Sequence, residues 1–287
     1  MKTIQRGSGW SIKLVYTLYK VLGYRFIYYL MYPVSYFYYL KASNTKEALQ
    51  IYYDNIGQTF GKKVHHEHLR HFSICMSDRF ISLTNPEKYD FVVDERKLLE
   101  DTLREGGILL LSHYGGWASA ANCLAPLSLK INIVMQESLM QSIQEIEESI
   151  RSDKTGHVKI IDISKGGIAV TIEIANALRD NELVAMMADR ATNAKNSKKI
   201  EFFGKAAKFN KNPFEIAYKT KKPLIALFVR FVEPLKYKIE YKKIEMDWDK
   251  DMDSEVDRCM QMYVDEFAKN IEIYPQGWFN FYDFWEK

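Results

Sequence analysis

Four short apolar runs constrain the fold most: residues 108–112 (ILLLS), 130–135 (KINIVM), 158–163 (VKIIDI) and 182–188 (ELVAMMA). Each has the length of a strand. A run that is apolar at nearly every position suits a strand covered on both faces, which is how parallel sheets are buried. Between the runs lie helical stretches at 116–127, 137–151 and 166–180. This alternation of strand and helix implies an α/β fold with a largely parallel central sheet flanked by helices.

The flanking sequence extends the pattern. Leu69, Phe72, Met76, Phe80 and Leu83 recur every three or four residues, predicting an amphipathic helix across HLRHFSICMSDRFISL. A second helix is expected to start with Asp94 as its cap and to stop at Gly106-Gly107, where the missing side chains permit a left-handed exit. Downstream, Asn212-Pro213 reads as an N-cap and first-turn proline for a helix through Tyr218, and the strand PLIALFVRF follows. YKIEYKKIEM alternates like an edge strand, and Val256, Met260, Tyr263, Phe267 and Ile271 stripe a last helix.

Aromatic residues crowd the N-terminus. Residues 10–40 read WSIKLVYTLYKVLGYRFIYYLMYPVSYFYYL, long enough to cross a bilayer but broken by Lys20, Arg25 and Pro33. A central arginine is costly in hydrocarbon, so the segment is expected to lie in or dip into a membrane interface; the alternative is an aromatic helix buried in the domain core. The expected division is a membrane-associated segment at 1–44 and one catalytic domain at 45–287.

Bulk composition excludes more than it assigns. Charged residues are 27% and the net charge is +3, too mild for a nucleic-acid binder but compatible with anionic lipid or an acidic carrier. The three cysteines, Cys75, Cys123 and Cys259, are far apart and form no C-x-x-C pair, which argues against a disulfide framework or a zinc site. Walker and Rossmann glycine patterns are absent, as is a G-x-S-x-G elbow. His65, His66, His68 and His71 fall at metal-like spacing, but no acidic or thiol partner converges except Glu67, so no metal is expected and the helix is read as a surface one.

His113 is the candidate centre. It follows the first strand, where ligands bind in open parallel sheets. Gly115 and Gly116 let the backbone approach a ligand, and a helix starting there would turn free N–H groups into the same space, suited to an oxyanion or phosphate. An imidazole in that position suits general-base activation of a hydroxyl or amine.

These residues carry a resemblance. GGILLLSHYGGWASA resembles the histidine motif of the lysophospholipid acyltransferase superfamily, in the branch of the lipid A late (lauroyl and myristoyl) acyltransferases. MMADRATNAKNSKKIEFFGKAAKFNKNPFEIAYKTKKPLIALFVRF is similar to a second region of that branch, with Asp189-Arg190, Phe203-Gly204, Pro213 and Lys222-Pro223 in order, and YPQGWFNFYDFW resembles its closing aromatic motif. The resemblance implies acyl transfer from a thioester, carried by acyl carrier protein or coenzyme A, to a hydroxyl or amine of a membrane-lipid acceptor of lipid A type. It also implies a peripheral or monotopic place on the cytoplasmic face of a bacterial inner membrane, and no cofactor besides the thioester co-substrate.

By the same resemblance His113 is the base. The family pattern sets Asp or Glu five positions later, where this chain has Ala118. Three readings stay open: a distant acid replaces the lost one, with Asp189 the first choice because it ends a neighbouring strand; His113 works alone; or the chain binds lipid or acyl carrier without catalysis. Substrate contacts are expected from Gly115, Gly116, Trp117, Arg190, Phe203, Gly204 and Lys205. Arg190 suits a phosphate grip or an ion pair near Asp189. Lys195, Lys198, Lys199, Lys205, Lys208 and Lys211 form either a surface for an acidic carrier or lipid headgroups, or a solvated face. Trp278, Phe279, Phe281, Tyr282, Phe284 and Trp285 are expected to dock on the domain, with lining of an acyl groove as the sharper alternative, and Asp283 among them needs a partner.

Overall fold

The computed structural model describes residues 9–119, 124, 127–135, 158–191 and 193–285. The first three helices are α1 (Gly9–Lys41), α2 (Ser43–Asn55) and α3 (Lys62–Thr84); strand β1 (Asp90–Val92) and helix α4 (Arg96–Arg104) follow. The central elements are β2 (Gly107–Leu111), β3 (Ile131–Met135), β4 (Val158–Asp162), α5 (Gly167–Arg179) and β5 (Leu183–Met187). A ribbon of β6 (Ser197–Phe202) and β7 (Lys205–Asn210) precedes α6 (Asn212–Thr220), β8 (Leu224–Glu233), β9 (Lys236–Ile244) and α7 (Met252–Ile273). The expected helix at 137–151 and most of that at 116–127 fall outside the described residues.

The seven-stranded sheet has the order β1-β9-β8-β2-β5-β3-β4, and every neighbouring pair is parallel except β8 with β9. The four apolar runs thus supply β2 to β5, side by side, and the fold is α/β with a largely parallel sheet, as the alternation implied. Ile108, Leu110, Val184 and Ile225 are fully buried because helices cover both faces. The last helix buries its whole expected stripe, Val256, Met260, Tyr263, Phe267 and Ile271.

Several local expectations are corrected. Asp94 does not cap α4: Glu95 holds the cap position without a side-chain bond, and Asp94 pairs instead with Lys238 at 2.8 Å. Lys211, not Asn212, precedes α6; Asn212 lies in its first turn beside Pro213, and the backbone N–H of Asn212 donates to Asn210 Oδ1 at 3.2 Å. β9 is not the outermost strand, because the three-residue β1 pairs with its start. Helix α3 is no surface helix: α1 lies along it, and His65 and His68 are buried beside Leu69 and Phe80, while Phe72, Met76 and Leu83 are only half-buried. A helix enclosed on two sides has no single apolar face to declare.

Helix α1 breaks at Gly23, whose φ of 78° is a left-handed value that glycine adopts without strain. Its inner side buries Tyr19, Ile27 and Met31, and its outer side exposes Phe26, Tyr29, Tyr36 and Phe37. No described helix is long and apolar enough to cross a membrane.

One buried carboxylate ties these layers together. Asp78 of α3 accepts hydrogen bonds from Tyr24 (3.2 Å) on α1, Tyr89 (2.9 Å) ahead of β1, and Tyr237 on β9. Burial pushes its carboxyl up to about 6, against the pull of the three hydroxyl donors. The unfolded chain releases that proton near pH 4, so the folded protein holds it more tightly. Its contribution to stability is fully present below about pH 4 and is lost as pH rises through about 6, on the order of 3 kcal/mol in all. Asp78→Asn, which keeps an acceptor oxygen but cannot ionise, is expected to remove that slope from a series of thermal melts between pH 4 and 7; an unchanged slope would contradict the assignment.

Candidate active site

Strands β2 and β5 are adjacent and parallel, with Leu111 opposite Met187. Side chains two residues apart on a strand share a face. Leu109, Leu111 and His113 therefore form one row, and Ala185, Met187 and Asp189 form the next. Ala188 N–H donates to Leu111 O at 2.8 Å and carries the pairing one step past the strand ends. The register alone brings residue 113 beside residue 189.

The pair is tightly made. His113 Nδ1 lies 3.0 Å from Asp189 Oδ1 and 3.1 Å from Oδ2, and the His113 backbone N–H donates to Oδ2 at 3.1 Å. Asp189 is fully buried, whereas the His113 side chain keeps 30% exposure. Burial by itself would raise the Asp189 carboxyl. The charge and hydrogen bond of His113, the Arg190 guanidinium and the Trp278 N–H outweigh it and hold the group well below the usual carboxylate range. Asp189 is thus an anion whose fixed acceptor faces Nδ1, which leaves Nε2 as the other ring nitrogen.

A cavity of about 730 Å³ lies against this pair. Leu109 and Leu111, Ile131 and Ile133, and Ala185 and Met187 form its sheet wall, and Val170 and Ile174 of α5 face them. His113, Trp117, Ala118 and Arg190 also line it, and Asn193, Asn196, Asn210 and Asn212 add amide groups. Its size falls within the roughly 300–1,000 Å³ of small-molecule sites, and its wall is aliphatic with a few polar groups at one end.

The expected contact residues divide. Trp117 stands edge-on to the His113 ring, with centroids 5.5 Å apart, and lines the cavity. Arg190 lies 3.6 Å from Asp189 Oδ2, donates to Phe279 O and packs over the Tyr282 ring at 5.3 Å, which fulfils the ion-pair reading. Gly115 and Gly116 are held in place by packing. Their N–H groups donate at 2.8 Å to Gly277 O and Val229 O, a Cβ on Gly115 would run into Val229 O, and one on Gly116 would meet the Tyr237 ring at 2.5 Å. The N–H groups of Gly115 and Gly116 are therefore engaged; a short 3-10 turn, Trp117–Ser119, follows them, and Leu124 beyond it is helical.

Phe203, Gly204 and Lys205 lie away from the cavity. Phe203 and Gly204, with φ of 52° and 72°, turn the β6–β7 hairpin, and Lys205 reaches Asn55 of α2 at 2.6 Å. The histidines of α3 find separate partners: His65 meets Thr45 (3.1 Å), His66 meets Ser35 (3.0 Å), His68 meets Tyr53 (3.2 Å), and His71 meets Tyr274 (2.6 Å). Their spacing reflects helix packing.

The C-terminal segment docks, as expected, but against the loop that carries His113 rather than along the aliphatic wall of the cavity. Trp278, Phe279 and Phe284 are buried, and Asp283 accepts from the Trp285 N–H at 3.0 Å. Four bonds join the segment to the site: Phe279 N–H to His113 O (2.8 Å), Gly115 N–H to Gly277 O (2.8 Å), Trp278 Nε1–H to Asp189 Oδ2 (3.1 Å), and Arg190 to Phe279 O. Sequence reasoning named Trp278 as one of the docking rings but not as a partner of Asp189, for which the density of rings gave no signal.

A sequence profile described as bacterial lipid A biosynthesis acyltransferase matches residues 82–287, a span that includes His113, Asp189 and Trp278. No curated protein matches the chain. Membership in such a family carries a general expectation of an acyl donor, a lipid acceptor and association with membranes. With the profile covering well over half the sequence, the chain belongs to the bacterial lipid A biosynthesis acyltransferase family.

Proposed function

We propose that the protein moves a fatty acyl chain from a thioester to a hydroxyl or amine of a lipid-linked acceptor, with His113 as general base and Asp189 as its orienting acid. The observation that carries this reading is the His113–Asp189 pair at an aliphatic cavity of about 730 Å³. In its neutral form, His113 donates Nδ1–H to Asp189 and offers the Nε2 lone pair to the acceptor. As Nε2 takes the acceptor's proton, the acceptor oxygen or nitrogen bonds to the thioester carbonyl carbon. Collapse of the tetrahedral adduct breaks the carbon–sulfur bond, and the thiolate leaves with the proton held on Nε2. Asp189 stabilises the transient imidazolium without taking its proton. The acyl chain occupies the aliphatic wall, and Trp117 and Arg190 flank the reacting end.

The donor is acyl carrier protein or coenzyme A, and the reaction needs no other cofactor. Lys199 sits directly across from Lys208 on β6–β7, and both are exposed. Like charges paired across strands repel, a cost that an acidic carrier surface would offset. The alternative reading, a binding homologue without catalysis, is motivated by Ala118. It loses ground because Asp189 already meets Nδ1. Incubating the protein with each acyl thioester and crude bacterial membrane lipid, then scanning by mass spectrometry, tests the proposal. New acylated lipid that vanishes with His113→Ala supports the enzyme, and identical spectra for both proteins support the binder.

The chain is divided as a membrane-associated segment at 1–44 and an acyltransferase domain at 45–287, resting peripherally or monotopically on the cytoplasmic face of the inner membrane. The exposed rings of α1 support this, since amphipathic rings and apolar side chains suit the interface. Deleting residues through Leu40 is expected to release the protein from vesicles. Because α1 also covers α3, replacing Phe26, Tyr29, Tyr36 and Phe37 with serine gives the gentler version. Co-sedimentation of that variant at wild-type levels in high salt would contradict the attachment.

A further inference from the structure

Asp189 is held from two directions. The His113 backbone N–H reaches it from the β2 side, and Trp278 reaches it from a segment 89 residues further along the chain. Both donate to Oδ2 at 3.1 Å, and the Arg190 guanidinium lies 3.6 Å from the same oxygen. His113 Nδ1 sits astride the two oxygens, 3.0 Å from Oδ1 and 3.1 Å from Oδ2. An acid with one oxygen held by fixed donors cannot rotate without breaking them, so the carboxylate keeps its edge aimed at the imidazole.

Trp278 is itself clamped. It is fully buried, with edge-on ring contacts to Tyr52 of α2 (5.4 Å), Phe202 of β6 (5.7 Å), Phe267 of α7 (5.4 Å) and Phe284 (4.8 Å). Four rings from different parts of the chain fix the direction of the indole N–H. The same stretch also fixes the catalytic loop through Phe279 N–H to His113 O and Gly277 O to Gly115 N–H. Packing alone would be served by any large ring at 278. A ring that points a donor at the one buried acid beside the candidate base does more than fill space.

We infer that Trp278 is a positioning residue for the His113–Asp189 pair, its indole N–H locking the acid so that the acid in turn fixes the orientation and tautomer of the imidazole. The inference rests on the proposed roles of His113 and Asp189. It assigns the C-terminal aromatic segment a part in transition-state geometry beyond that of a domain edge. Where the sequence pattern lacks an acid at Ala118, the acid arrives from β5 and needs this second support.

The test is a double-mutant cycle in the full chain, measuring thiol release from dodecanoyl-coenzyme A and from dodecanoyl acyl carrier protein with total bacterial lipid present. Trp278→Phe keeps a ring but removes the donor, and benzothienylalanine at 278 keeps the indole outline with sulfur in place of N–H. Both are expected to lower kcat roughly ten- to a hundredfold with KM for the thioester unchanged, the size expected for one bond to a charged group. In an Asp189→Asn background neither change should lower kcat further. A readout independent of turnover is the Trp278 indole resonance in tryptophan-labelled protein, which should stand downfield and shift with Asp189→Asn.

If the indole variants turn over like the wild type while Asp189→Asn is crippled, the role of Trp278 is refuted and the His113–Asp189 reading stands. Equal losses from Trp278→Phe with and without Asp189 also refute it, since Trp278 then acts elsewhere. Should Asp189→Asn keep full turnover, both fall. An indole resonance indifferent to Asp189→Asn removes the bond on which the inference depends.

Discussion

His113→Ala is expected to lower acyl transfer by about 10²- to 10⁴-fold, the range for loss of a positioned general base. The protein should remain folded. The backbone bonds at this residue, His113 N–H to Asp189 and Phe279 N–H to His113 O, do not use the imidazole. The side chain is also partly exposed, so its removal leaves no sealed void. Product formation by mass spectrometry, read beside a melting curve that still shows one cooperative transition, checks both halves. A folded His113→Ala protein that still acylates lipid at the wild-type rate would remove the base from the mechanism.

Asp189→Asn is expected to cost about 10²- to 10⁴-fold in kcat through a different physical cause. An amide can turn its NH2 towards His113 Nδ1, which then must accept, and the imidazole proton is driven to Nε2. The nitrogen meant to receive the acceptor's proton would then carry one already. The alternative amide orientation places NH2 among the His113 backbone N–H, the Trp278 N–H and Arg190, donor against donor in a fully buried site. Either orientation fails. Full turnover by Asp189→Asn would sink the assignment of Asp189 as the orienting acid.

The same substitution has a stability consequence with a definite sign. The Asp189 carboxyl is held well below its ordinary range, chiefly against the cost of burial, by His113, Arg190 and Trp278. Such a group contributes stability above its unfolded value near pH 4 and loses it only as pH falls further. Asp78 has the opposite sign, because burial there prevails over its tyrosine donors. Two buried aspartates thus titrate in opposite directions, according to whether their neighbours are charged or neutral.

Much of the architecture could be read from local pattern. Continuous apolar runs marked β2 to β5, and their alternation with helical stretches marked the parallel sheet. Where the reading failed, a neighbour remote in sequence had intervened. Asp94 lost its capping role to a bond with Lys238, and α3 hid His65 and His68 because α1, α2 and the C-terminal rings pack against it. Gly115 and Gly116 were read as making room for a ligand, but the space they leave is filled by Val229 and Tyr237. The β6–β7 turn at Phe203-Gly204 matched a family region without approaching the cavity.

The site shows the same division. His113 and Asp189 each follow an apolar run, and a strand end is visible in one dimension because burial imposes it on consecutive residues. That β5 lies beside β2, with Leu111 opposite Met187, is a matter of strand order and register, which no local pattern encodes. Trp278 is further still from local legibility. Its meeting with Asp189 depends on Tyr52, Phe202, Phe267 and Phe284 closing around one ring. Element type follows from short-range periodicity and backbone preference, whereas the company a side chain keeps follows from which distant surfaces pack together, and that packing oriented the acid, the base and the indole.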